Sequence, residues 1–149
     1  MLERFVSSPV ELSSALADGA FSRADVLLHG VDHSGASYEG RVYVNAPDAD
    51  AATGRDIPAY LGSYHVFGHN GCFGDVGHCD LPSGPRRPFD LRPVHQLTPQ
   101  SKAVIVTERL RALRADLGKT ITITVVAVTA GDASNEVLQF EELRLLSYR

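Results

Sequence analysis

The chain of 149 residues is long enough for one ordinary domain and too short for two comfortable ones. Hydrophobic residues make up 44% and charged residues 21%, a globular mixture that excludes disorder as the default. A net charge of −4 argues against a nucleic-acid binder, and no apolar run approaches the ~20 residues of a membrane-crossing helix. Met1–Ser14 lacks a basic start followed by an apolar stretch, so no secretory signal is expected there. The expectation is a cytoplasmic chain without nucleic-acid or membrane partners, secretion alongside a partner protein being the alternative.

Residues 1–23 read as an N-terminal extension, in which Val10, Leu12 and Leu16 suit a short helix or an arm. Ala24–Val31 is an apolar run ending at Asp32-His33-Ser34-Gly35, the pattern of a strand and its turn. Arg41–Asn45 alternates around β-formers and predicts a second strand. Ala46–Pro58 reads as a surface connection. Ala59–Phe67 predicts a third strand, with Leu61, His65 and Phe67 on one face and Tyr60, Tyr64 and Val66 on the other.

From Gly68 to Thr98 periodicity disappears and Gly and Pro crowd the chain. So long a structureless stretch is usually functional, or pinned by something other than a sheet. Lys102–Val106 resumes strand texture, and Thr107 stands where it can cap a short helix carrying Leu110, Leu113 and Leu117, with Gly118 as its stop. Thr120–Thr129 is β-branched at most positions, Gly131–Asn135 reads as a turn, and Val137–Tyr148 closes with another strand. The sum is a single all-β domain over 24–149, an antiparallel sandwich or small barrel of about six or seven strands with one short helix. Its core should include Val26, Val42, Leu61, Leu110, Ile123, Val125, Leu138, Phe140 and Leu145.

Chemistry concentrates between His65 and Asp80, which hold both cysteines and three of the six histidines. Imidazole and thiolate are donors that copper and zinc favour, and the interspersed glycines let a short loop turn its side chains inward. His69, Cys72 and Cys79 are the expected ligands, with His65 or His78 completing the set. The competing reading is a Cys72–Cys79 disulfide, closing a loop of about eight residues and worth roughly 2.5 kcal/mol in the chain-entropy account. Buried, inert thiols are a third. His29 and His33 read as surface or half-buried residues, and His95 as a structural hydrogen-bonding residue. Arg86, Arg87 and Arg92 alternate with prolines, as an arm for an acidic partner or as coil covering a sheet edge.

Two motifs carry a resemblance. Tyr43-Val44-Asn45-Ala46-Pro47-Asp48 followed by Tyr60-Leu61-Gly62-Ser63-Tyr64 resembles the small β-domain that follows the catalytic domain in plant polyphenol oxidases. His69-Asn70-Gly71-Cys72-Phe73-Gly74-Asp75-Val76-Gly77-His78-Cys79-Asp80 is similar to the carboxy-terminal region of some bacterial tyrosinase-family proteins. The resemblance runs from about Ala24 to Tyr148. It implies a β-sandwich companion of a type-3 copper oxidase, covering the copper site and aiding folding or latency. It also implies copper rather than zinc as the ion, and a tyrosinase-like oxidase as the partner. The catalytic domain of that family carries two groups of three histidines on a four-helix bundle, and this sequence has neither, so it is not a dicopper phenol oxidase by itself. Two alternatives stand beside this reading. One is a small free-standing metalloenzyme with a phenolic or other small substrate, and the other a structural domain stapled by a disulfide.

Overall fold

Runs of Val, Ile, Leu and Tyr become strands where neighbouring chains can satisfy their backbone groups and bury one face. The computed structural model describes residues 3–131 and 137–149. In chain order the elements are β1 (Arg4–Val6), β2 (Val10–Glu11), α1 (Ser14–Asp18), β3 (Arg23–Val31), β4 (Tyr38–Val44) and β5 (Tyr60–Val66). After a long loop come β6 (Gln100–Ile105), α2 (Thr107–Leu113), β7 (Thr120–Ile121), β8 (Ile123–Thr129) and β9 (Glu142–Tyr148). One sheet has the order β1-β8-β4-β5, the other β6-β3-β9, and β2 with β7 forms a two-stranded ribbon. Every pairing is antiparallel. The sheets do not close, so the architecture is the sandwich and not the barrel. No helix among the described residues is long and apolar enough to cross a membrane.

The core lies between the two larger sheets. Val26 and Leu28 from β3 meet Val42 from β4, Leu61 from β5 and Ile123 and Val125 from β8, all buried. Leu138, Phe140 and Leu145, expected in the core, are half-buried against its rim. Residues of the expected extension take part as well. Phe5 stands opposite Val125 in the sheet, and Leu16 and Phe21 are buried in the same core. Two such side chains contribute about 2 kcal/mol each. A turn expected at Gly131–Asn135 lies, from position 132 onward, outside the described residues.

Three local expectations need correction. The face assignment in β5 fails because Val42 pairs with Gly62 while Tyr43 pairs with Tyr60, leaving Leu61 as the extra residue of a β-bulge. The bulge resets the alternation, so Leu61, Tyr64 and Val66 all enter one core while His65 faces water. Thr107 does not cap α2. It is the first helical residue, and its Oγ1 accepts from Ala24 N–H at 3.0 Å, tying the helix to β3. The run Thr120–Thr129 is broken at Thr122, where Asn45, at φ 49°, takes both backbone groups. Asn45 N–H donates to Thr122 O at 2.9 Å, and Thr122 N–H donates to Asn45 Oδ1 at 2.9 Å.

The pairing of β4 with β5 also explains a glycine. The Tyr64 ring lies directly over Gly40, where any side chain would collide with it, and stands edge-on to Tyr38 with centroids 6.0 Å apart. Burial holds the Tyr64 phenol far above its ordinary value, so it stays neutral. This aromatic pair stiffens the strand that launches the loop.

Candidate functional site

The loop that leaves β5 is templated by the turn joining β3 to β4. Asp32 Oδ1 accepts from Ser34 N–H at 2.8 Å, shaping that turn. Three successive amides of the loop then donate to it: His69 N–H to His33 O (2.9 Å), Asn70 N–H to Gly35 O (2.8 Å) and Gly71 N–H to Ser34 O (3.0 Å). His33 also reaches the far end of the loop. Its Nε2 lies 3.0 Å from Thr98 O, and because a carbonyl only accepts, that nitrogen carries the hydrogen. Only 3% exposed, His33 packs its ring 5.1 Å from that of His69. The sequence reading placed His33 on or near the surface; the structure makes it the clasp between the two ends of the loop.

Inside the clasp, Cys72 and Cys79 form a disulfide with Cα atoms 6.1 Å apart. Turns at Asp75–His78 and Gly77–Asp80 bring the chain back. The His78 ring lies against the bridge, with Nδ1 3.8 Å from Cys72 Sγ and 3.6 Å from Cys79 Sγ. Gly74, at φ +130°, makes room for it, since a Cβ there would stand 3.0 Å from the imidazole. Leu97 N–H donates to His95 Nδ1 at 3.1 Å, so His95 Nε2 bears the hydrogen and donates to His78 O at 3.0 Å. A pocket of about 440 Å³ opens between the bridge and this second strand of loop, lined by His69, Phe73, His78, Cys79, Val94 and His95.

Of the expected ligands, Cys72, His78 and Cys79 come together, their donor atoms all within 4.8 Å of one another. His69 lines the same pocket but packs its ring, tilted by 59°, against His33. His65 stands on β5 opposite Glu39, exposed and outside the group. With the bridge formed, neither sulfur is a thiolate, the species that binds metals.

Between positions 67 and 94 lie most of the strongly exposed large apolar side chains of the described residues. Phe67, Phe73, Phe89 and Leu91 are 85%, 76%, 97% and 94% exposed. Arg86 and Arg87 stand exposed among them. A loop tied at both ends thus presents an apolar and basic surface to solvent. Sequence reasoning singled out the arginines but missed the aromatic side chains beside them, whose only signal was their lack of any strand or helix to serve.

No family model matches this sequence, and no curated protein does. Solved structures do match. A recombinantly expressed latent aurone synthase, a polyphenol oxidase, superposes with a TM-score of 0.54 at 14% identity over 97% of this chain. The latent aurone synthase from natural source gives 0.54 at 15% identity over 98%, and a co-crystal with hexatungstotellurate(VI) gives 0.55 at 16% over 97%. What is shared is the fold. This chain spans 24% of the length of each of those chains.

Proposed function

We propose that the chain is a metal-binding accessory domain that docks its loop onto a tyrosinase-like copper oxidase and covers that enzyme's site. The observation that carries this reading is the apolar surface between Phe67 and Val94, held out by a clasp and a disulfide rather than folded onto the domain's own core. Isolated exposed apolar residues are ordinary, but several on one tethered loop mark an interaction surface. Burying each aromatic or leucine side chain on docking stabilises the complex by about 2 kcal/mol before the costs of association. Support comes also from the likeness in fold to structures of latent polyphenol oxidase, of which a chain this size is only a part.

In this reading the loop's His side chains, joined by its Cys side chains when the bridge is open, hold an ion at the docking face. Copper is the ion assigned, in keeping with a copper-dependent partner, although mixed sulfur and nitrogen donors suit zinc as well.

The test is gel filtration of the chain with a tyrosinase-like copper oxidase from the same organism. A one-to-one complex is expected, and a Phe73→Ser, Phe89→Ser, Leu91→Ser triple variant should bind at least about tenfold more weakly. Because these side chains stand in water, the variant keeps the wild-type melting temperature. Failure to form a complex at tens of micromolar overturns the proposal, as does unchanged affinity in the triple variant.

A further inference from the structure

We propose that the Cys72–Cys79 disulfide is the closed state of a soft-metal site, so that reduction of the bridge is what allows the loop to take up an ion. The inference rests on the metal-binding part of the proposed function and adds its switch and its ligand set: Cys72 Sγ, Cys79 Sγ and the His78 imidazole. Two donors on one tetrahedral ion, at bond lengths near 2.0–2.3 Å, stand about 3.5–3.8 Å apart. His78 Nδ1 already stands 3.6 Å and 3.8 Å from the two sulfurs. Breaking the bond frees the sulfurs to separate, and the ring must turn to aim Nδ1 at the ion, since Cys79 Sγ stands 3.6 Å from Nε2 as well.

The surroundings suit this exchange. Cys72 and His78 are exposed and Cys79 half-buried, so both a reductant and an ion can reach them. His78 is fixed from behind, through its carbonyl, by His95 Nε2–H at 3.0 Å. The clasp at His33 holds the loop ends through contacts that involve neither cysteine, so opening the bridge leaves the site tethered. Either cross-link, S–S or S–metal–S, closes the same short segment.

The chemistry balances with a dithiol as reductant. It gives up two electrons and two protons and becomes a disulfide, while the Cys72–Cys79 bond breaks to two thiols. When the ion binds, the two thiols release their protons to solvent and the ion meets two thiolates and a neutral imidazole. Two thiolates select monovalent copper or zinc over harder ions.

The experiment uses the full chain, oxidised and phosphine-reduced, titrated anaerobically with Cu(I) against a bicinchoninate competitor and in parallel with Zn(II) against a chromophoric chelator. Reduced protein is expected to take up one equivalent with thiolate-to-metal charge-transfer absorption, and oxidised protein to bind at least about a hundredfold more weakly. Comparing the two arms identifies the ion. Cys72→Ser and Cys79→Ser should abolish the absorption, and His78→Ala should weaken binding about tenfold or more while leaving both thiols titratable. Equal binding by the oxidised chain overturns the switch and leaves a histidine site that still serves the proposed function. Unchanged affinity in His78→Ala overturns the ligand set. No binding in either redox state overturns this inference and the metal-binding reading beneath it.

Discussion

His33 holds both ends of a loop of some thirty residues with one carbonyl and one ring nitrogen. Its carbonyl accepts from His69 N–H and its ring faces Thr98 O, so truncating the side chain releases the exit of the loop while the backbone still holds the entry. His33→Ala should lower stability by about 2 kcal/mol in urea unfolding, the cost of a lost buried hydrogen bond and an orphaned carbonyl. Limited proteolysis should cut between positions 68 and 98 faster in that variant than in wild type; equal cutting rates would show the clasp to be unimportant. Neither role was legible in the sequence, because Thr98 and His69 lie 65 and 36 residues away. Asn45 is a similar case. Its place in a Val-Asn-x-Pro pattern was visible, but the break it imposes on the run Thr120–Thr129 depends on a partner 77 residues downstream. The two cysteines, by contrast, stand out in the sequence, where metal ligation is the preferred reading and a disulfide and inert thiols are the alternatives; the structure holds the disulfide.

At the scale of elements, periodicity located β3, β4, β5, β6 and α2 to within a few residues, because each carries its own buried stripe. It failed on β1 and β2, of three and two residues, whose existence depends on the strands they pair with. It failed also on the face of β5, since a bulge leaves no mark in composition. On β4, Glu39 is 11% exposed at its side chain and pairs with Arg41 at 3.1 Å and Arg55 at 2.7 Å. Burial pushes its carboxyl up, but the bond from Arg41, the Ser63 hydroxyl nearby and the charges of Arg41 and Arg55 outweigh this and hold it below the ordinary value of 4.5. A carboxylate depressed in the folded state stabilises the fold above its unfolded pKa and loses that contribution as pH falls through its folded pKa. Glu39→Gln should therefore cost about 2 kcal/mol at pH 7, with the gap from wild type narrowing as pH falls below the ordinary value of 4.5. A gap that persists unchanged at pH 3 would contradict the pairing. The arm between Pro82 and Pro93 makes a separate prediction, since Arg86 and Arg87 are exposed beside the apolar side chains. Arg86→Glu with Arg87→Glu should slow association with the oxidase several-fold at low salt, with the difference fading as ionic strength rises. A rate that ignores both charge and salt would remove the arm from the interface.

For the whole molecule, the proposed function makes the sandwich a mount and the loop the part that docks. Strand density and the antiparallel texture narrowed the architecture to a sandwich or small barrel, because a half-buried strand announces itself every second residue. The loop's purpose was only half legible: its cysteines and histidines stood out, while the exposure of Phe73, Phe89 and Leu91 became evident only once the core was seen to be complete without them. An apolar surface outside a finished core is suited to meeting a second surface. The proposed covering of an oxidase site by this loop is read out by catechol oxidation with a tyrosinase-like copper oxidase. Saturating the oxidase with the wild-type chain should lower its turnover, and proteolytic nicking of the loop between positions 82 and 94 should restore it. Turnover that stays unchanged while the complex demonstrably forms would contradict the claim.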